Sequence, residues 1–188
     1  MAKGSNKTLW IVLGIVLFLL IVFVGMYNSI VTLDETADAQ WANVESTYQR
    51  RADLIPNLVN TVKGYASHEE EVLTAITEAR SAWAGAGSQS EQIEAAGNMD
   101  SALARLMVVV ENYPDLKASQ NFMALQDELA GTENRISVER MRFNEAVRNY
   151  NIKIKRFPSN MIANMFGFEQ KTLFEAQEGS ENAPSVEF

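Results

Sequence analysis

The sequence predicts an all-α protein, in which an N-terminal transmembrane helix leads into an elongated four-helix-type bundle with a long C-terminal helix. Three observations carry this expectation. Leu9 to Tyr27 is an almost unbroken run of Leu, Ile, Val and Phe. Beyond it, no stretch shows the sustained period-2 alternation of a half-buried strand. Apolar residues instead recur three and four positions apart, and Gly and Pro punctuate the pattern only every 20 to 40 residues or so.

The first helix is set by what it lacks. Thr8 to Leu33 contains no charged residue, and the apolar run, at about 1.5 Å per residue, nearly crosses a hydrocarbon layer of roughly 30 Å. A cleaved secretory signal is the competing reading. The run exceeds the usual h-region of about 7–15 residues, and Met26-Tyr27-Asn28 is not a small-x-small site, so an uncleaved anchor is expected. The chain has no Cys, which excludes a lipoprotein. Lys3 and Lys7 precede the run and Asp34, Glu35 and Asp38 follow it. The positive-inside rule therefore predicts a single-pass protein of the cell (inner) membrane, with a cytoplasmic N-terminus and the rest on the periplasmic or extracytoplasmic side. The division expected is 1–8 as a short N-terminal segment, 9–27 as the membrane helix, 28–168 as the bundle and 169–188 as an acidic tail whose last ten or so residues are disordered.

The helix continues out of the membrane, because no turn residue separates Tyr27 from Leu33, and Leu33, Ala37, Trp41, Val44 and Tyr48 form its stripe to about Ala52. Asp53 is positioned to cap a second segment with Pro56 in its first turn, so Ile55-Pro56 is either a kink or a restart. Its stripe is Leu54, Leu58, Val62 and Tyr65, and it ends at Gly64 to Ser67. Ser67-x-x-Glu70 and Ser88-x-x-Glu91 are capping-box patterns. The first opens a helix bearing Val72, Ile76, Ala79 and Trp83; the second follows the Gly85-Ala86-Gly87-Ser88 loop and opens one bearing Ala95, Met99, Leu103, Leu106 and Val110, which stops at Tyr113-Pro114. From Pro114 to Phe157 the pattern is unbroken. Phe122, Leu129, Ile136, Phe143, Tyr150 and Phe157 recur every seven residues, the period of a coiled-coil strand or of one long helix in a bundle. A short helix from Ser159 to Phe166 completes the domain.

Several blocks read as those of a known family. Tyr27-Asn28-Ser29-Ile30-Val31, the stretch from Gln49 through Asp53-Leu54-Ile55-Pro56-Asn57-Leu58 to Glu69, Glu111 to Lys117, Thr132 to Ile136, Phe143-Asn144-x-x-Val147-x-x-Tyr150-Asn151 and Phe157 to Asn160 closely resemble the bacterial LemA family, in order, over about Asn28 to Phe168. The resemblance implies one membrane helix followed by a helical bundle. It carries no general biochemical activity; that a magnetosome-formation protein belongs to the family points towards membrane organisation.

Charge and composition exclude much. All 24 acidic residues lie after Leu33 with 14 of the 16 basic ones, so the extramembrane part has a net charge of about −10 against −8 for the chain. Nucleic acid is not an expected partner. Without Cys there are no thiolate sites, and the lone His68 beside Ser67 suits a helix start better than catalysis. Neither Glu-x-x-His copy of a di-metal bundle site is present, so no cofactor, metal or enzymatic activity is expected.

Two groups of residues stand out. Arg50, Arg51 and Asp53 at the Pro56 segment could pair with Glu128, Glu133, Asn134, Arg135, Arg140 and Asn144 of the long helix. Internal pairing that fixes helix register is the preferred reading, and a site for a carboxylate or phosphate ligand the alternative. At the other end, rises of about 1.5 Å per residue along alternating helices nearly cancel, returning the end of the long helix to the bilayer level. Lys153, Lys155, Arg156 and Phe157 cluster there with the apolar Met161, Ile162, Met165, Phe166 and Phe168. That cationic rim beside Met and Phe fits a membrane-surface contact, the cap of an open bundle end, or a neighbouring subunit. The expected partners are thus the lipid bilayer, further copies of the chain and an unidentified membrane protein. The functional expectation is a LemA-type anchored scaffold or interaction protein working in envelope or membrane organisation; the alternative is an accessory subunit of a membrane protease or signalling assembly with a ligand site at Arg50–Asp53.

Overall fold

The computed structural model describes residues 5–174, and all of its regular structure there is helical. In order come α1 (Ser5–Lys63), α2 (Glu70–Gly85), α3 (Gln89–Val110), α4 (Pro114–Lys117), α5 (Gln120–Lys155) and α6 (Ser159–Phe166). The chain divides into two compact units. Unit 1 takes α1 as far as Trp41 together with Arg142–Leu173, and unit 2 takes Ala42–Met141 with Phe174.

In α1, Ile30, Ala37, Val44, Arg51 and Leu58 recur every seven residues and all are buried, as are Tyr48, Ile55 and Val62 three or four positions away. This is an a/d seam of the kind that packs long helices side by side. It corrects part of the predicted stripe: Ile55 and Ala66 are buried where Leu54 and Tyr65 were expected, and Tyr65 is about half exposed. Pro56 does not restart the helix, which runs on through it to Lys63. A proline has no N–H for the carbonyl four residues back. Here that carbonyl, of Ala52, accepts a hydrogen bond from Arg80 Nε of α2 at 2.8 Å instead.

In unit 2 the second half of α1 packs with α2, α3 and the first part of α5 as a helical bundle. Tyr48 sets its ring near Trp83 of α2, and Met99, Leu103, Leu106 and Val110 of α3 are buried with Phe122 and Ile136 of α5. Only one of the two predicted capping boxes forms. The Ser88 hydroxyl accepts from Glu91 N while Glu91 accepts from the Ser88 backbone, but α2 begins after Glu69 with no side-chain cap, so Ser67 plays no such part. Pro114 opens the separate single turn α4 before α5, so the pattern predicted as one helix from Pro114 is two.

In unit 1, Tyr150 and Ile154 of α5 and Ile162 and Ala163 of α6 bury Ile30 of α1, with Met26, Tyr27, Leu33 and Phe168 around them. The seven-residue seam of α5 ends at Tyr150. Phe157 lies beyond the helix and is 80% exposed. Residues 169–173, assigned to the tail from sequence, are docked: Tyr150 Oη donates to Glu169 O, Asn151 exchanges two hydrogen bonds with the Lys171 backbone, and Lys171 Nζ pairs with Asp34 and Asp38. Phe174 is buried in unit 2. The disordered end expected further on lies outside the described residues.

Candidate functional site

The polar group predicted around Arg51 forms in unit 2. Arg51 occupies a seam position of α1 and is 2% exposed, where an unpaired cation would be strongly unfavourable. Its Nη1 meets Asp100 Oδ1 of α3 at 2.5 Å, its Nη2 pairs with Glu133 of α5, and its Nε reaches Thr132 Oγ1 at 3.5 Å. Arg140 of α5 pairs with the other Asp100 oxygen and with Tyr48 Oη, and Tyr48 Oη lies 3.1 Å from Asp100 Oδ2. The Arg140 guanidinium covers the rings of Tyr48 and Phe174 at 5.2 and 4.8 Å, a cation–π arrangement.

Asp100 thus joins three helices through two arginines. Burial pushes its carboxyl up to about 6 against the pull of Arg51, and the nearby Glu133 adds to the rise. Burial likewise pulls Arg140 below its usual value. One side of the group opens on a cleft between α3 and α5, lined by Leu103, Met107 and Leu129 beside Arg51, Asp100 and Glu133.

The other predicted members fall elsewhere. Arg50 pairs with Glu128 at 2.9 Å on the surface, and both line a separate open cleft with Asp127, Gly131, Thr132 and Arg135. Asp53 accepts from Gln49 of its own helix, at 2.8 Å. Asn134 is exposed, and Asn144 belongs to unit 1. Sequence reasoning missed Asp100, Tyr48 and Thr132. The signal was available: an arginine at a seam position needs a buried acid, and Asp100 borders the α3 stripe between Met99 and Leu103. His68 is exposed, and among the described residues no three His, Asp or Glu side chains gather as a metal site would require.

The second predicted group lies in unit 1. Ile162 is buried and Phe168 half-buried, while Phe157, Met161, Met165 and Phe166 are exposed with Lys155 and Arg156. Phe166 packs on Tyr27 and Phe23 of α1, ring centres 4.8 and 6.2 Å apart. Next to it, the α1 residues from Leu9 to Leu20 are exposed throughout, and α1 is the one described helix long and apolar enough to cross a membrane.

Comparison with known proteins fits this architecture. The chain is 30% identical over 175 residues to the magnetosome protein MamQ 2 of Paramagnetospirillum magneticum, covering 79% of this chain and 64% of the relative. MamQ of Magnetospirillum gryphiswaldense is 30% identical over 174 residues with the same coverage. The chain therefore spans a little under two thirds of the length of these relatives. Protein LemA of Metamycoplasma hominis is 26% identical over 158 residues, covering 84% of this chain and 72% of the relative. The sequence pattern of the LemA family matches residues 40–188, and the chain belongs to that family.

Proposed function

We propose that the chain is a membrane-anchored helical scaffold, acting through protein–protein or protein–lipid contacts in the organisation of the membrane or envelope, with its N-terminus in the cytoplasm and the helical domain outside. The supporting observation is that one helix carries both parts. The exposed apolar run of α1 continues without a turn into Ile30 and Ala37, which are buried in unit 1. An uncharged, exposed run of this length suits lipid far better than water, and the lysines before it and the acids after it favour the stated orientation.

The MamQ relatives are named as magnetosome proteins, which supports a role in membrane organisation. The ligand-binding alternative keeps one favourable observation, the open cleft that Arg50 and Arg135 line. It loses Arg51, whose guanidinium is occupied by Asp100 and Glu133. A test combines topology with partner capture. Protease added to intact spheroplasts should digest the helical domain, and crosslinking in native membranes should return self-crosslinks. Digestion only after lysis would overturn the orientation, and one reproducible second protein in place of self-crosslinks would favour the accessory-subunit reading.

A further inference from the structure

Unit 1 places more than one helix at the level of the apolar run. α6 lies along the part of α1 between Leu19 and Tyr27, and the groove between them is lined by Leu19, Val22 and Met26 on one side and Met161 and Met165 on the other, with Pro158 at its edge. From Tyr27 to Leu19 the helix advances about 12 Å at 1.5 Å per residue. If the run spans the bilayer, as proposed above, α6 sits well inside the hydrocarbon of the leaflet next to the domain.

Its chemistry agrees with that position. Met161 and Met165 are each 63% exposed and Phe166 is 50% exposed, an apolar face continuous with the exposed face of α1. The groove, of about 420 Å³, falls within the range of about 300–1,000 Å³ found for small-molecule sites. α5 ends at Lys155, which lines a neighbouring cleft with Asn160 and Glu169, and Arg156 follows it, two residues before Pro158 at the groove's edge. Both cations are exposed, and neither forms an ion pair among the described residues. Ile154, their neighbour, packs with Ile30, three residues beyond the end of the apolar run, so the two cations stand at the height of lipid head groups.

We propose that this groove is a binding site for an anionic phospholipid of the domain-side leaflet, with one acyl chain lying between α1 and α6 and the head-group phosphate held by Lys155 and Arg156. A cationic rim over an apolar slot complements a lipid of that charge. A second copy docked two-fold on the same face would bring its own Lys155 and Arg156 against them, like charge against like.

The inference rests on α1 spanning the bilayer, and the test separates the two. The cysteine-free chain allows single labels, so full-length Phe18→Cys, Met161→Cys and Thr36→Cys variants are labelled with a polarity-sensitive fluorophore in nanodiscs of phosphatidylglycerol and phosphatidylcholine. Labels at 18 and 161 should be quenched by acyl-chain spin labels and spared by aqueous iodide, with the reverse at 36. At 161, spin-labelled phosphatidylglycerol should be favoured over phosphatidylcholine by about fivefold or more, the ratio that charge attraction of even one basic residue predicts. Lys155→Gln with Arg156→Gln should abolish that preference. Failure of lipid quenching at 18 overturns the anchor itself. Lipid quenching at 18 with only iodide quenching at 161 overturns the groove site alone, as does equal quenching by the two lipids. Shielding of 161 from both quenchers, with disulfide formation between copies of the unlabelled Met161→Cys chain, would assign the face to a second copy and overturn the lipid site.

Discussion

Arg80 Nε donates to the carbonyl of Ala52 at 2.8 Å, supplying from α2 the hydrogen bond that Pro56 cannot give within α1. The side chain of one helix thereby repairs the backbone of another, and α1 stays helical to Lys63.

The pair can be separated by a double-mutant cycle. Arg80→Met should destabilise the folded chain by about 1–3 kcal/mol, the cost of leaving a buried acceptor unsatisfied. With Pro56→Ala in place the backbone N–H returns, and the same Arg80→Met change should cost distinctly less. Denaturation of the four proteins in detergent measures the coupling; equal costs in both backgrounds would refute the repair.

Arg51 should behave as a structural ion. Arg51→Ala leaves Asp100 short of one of its two guanidinium partners and should cost roughly 3 kcal/mol, the lower end for breaking a buried pair, because Arg140 remains. A lowered melting temperature with no specific loss of partner binding is expected. An unchanged melt with lost activity in cells would instead identify Arg51 as a binding residue.

Asp100 gives the fold a defined pH dependence. Its carboxyl is raised from 3.8 to about 6 by burial, so the folded chain holds that proton more tightly than the unfolded one. The stabilising contribution is then complete below about pH 4 and is lost as pH rises through about 6, by an amount on the order of 2–3 kcal/mol. Asp100→Asn should remove this component from the slope of stability against pH, and carboxyl carbon NMR should show a midpoint near 6 at this residue.

The two serine patterns should differ on substitution. Ser88→Ala removes a formed cap and should cost about 1 kcal/mol, whereas Ser67→Ala, with no cap to lose, should stay within about 0.5 kcal/mol. Urea midpoints of the two variants provide the comparison.

These contrasts also mark what could be read from the residues. The apolar run, the Gly85–Ser88 loop, the α3 stripe and α6 are local statements of composition and period, and they stand in the sequence as they stand in the fold. Ser67 and Ser88 carry the same motif, but only Ser88 adopts an extended N-cap conformation; the motif specifies the hydrogen bonds and not the backbone that must present them. Pro56 was ambiguous for a related reason, since its remedy lies in α2 and no window around Pro56 contains Arg80. At the polar centre, Arg51 and its candidate acids on the long helix were legible, and Glu133 is among them. Asp100 was legible only as an acid bordering the α3 stripe; its pairing with Arg51 was not, because side-by-side placement of α1 and α3 is a property of packing and the two residues are 49 positions apart.

The missing turn between Tyr27 and Ile30 has a mechanical meaning. A helix is stiff in torsion, and a flexible linker at this point would have absorbed any twist. Here a rotation of the apolar run about its axis, or a piston shift along it, must pass to Ile30 and so to Tyr150 and Ile154 that pack on it. A single residue inserted at Asn28 would turn Ile30 by about 100° and advance it by about 1.5 Å, carrying it off that contact. The angular setting of the apolar run is in this way geared to the packing of unit 1.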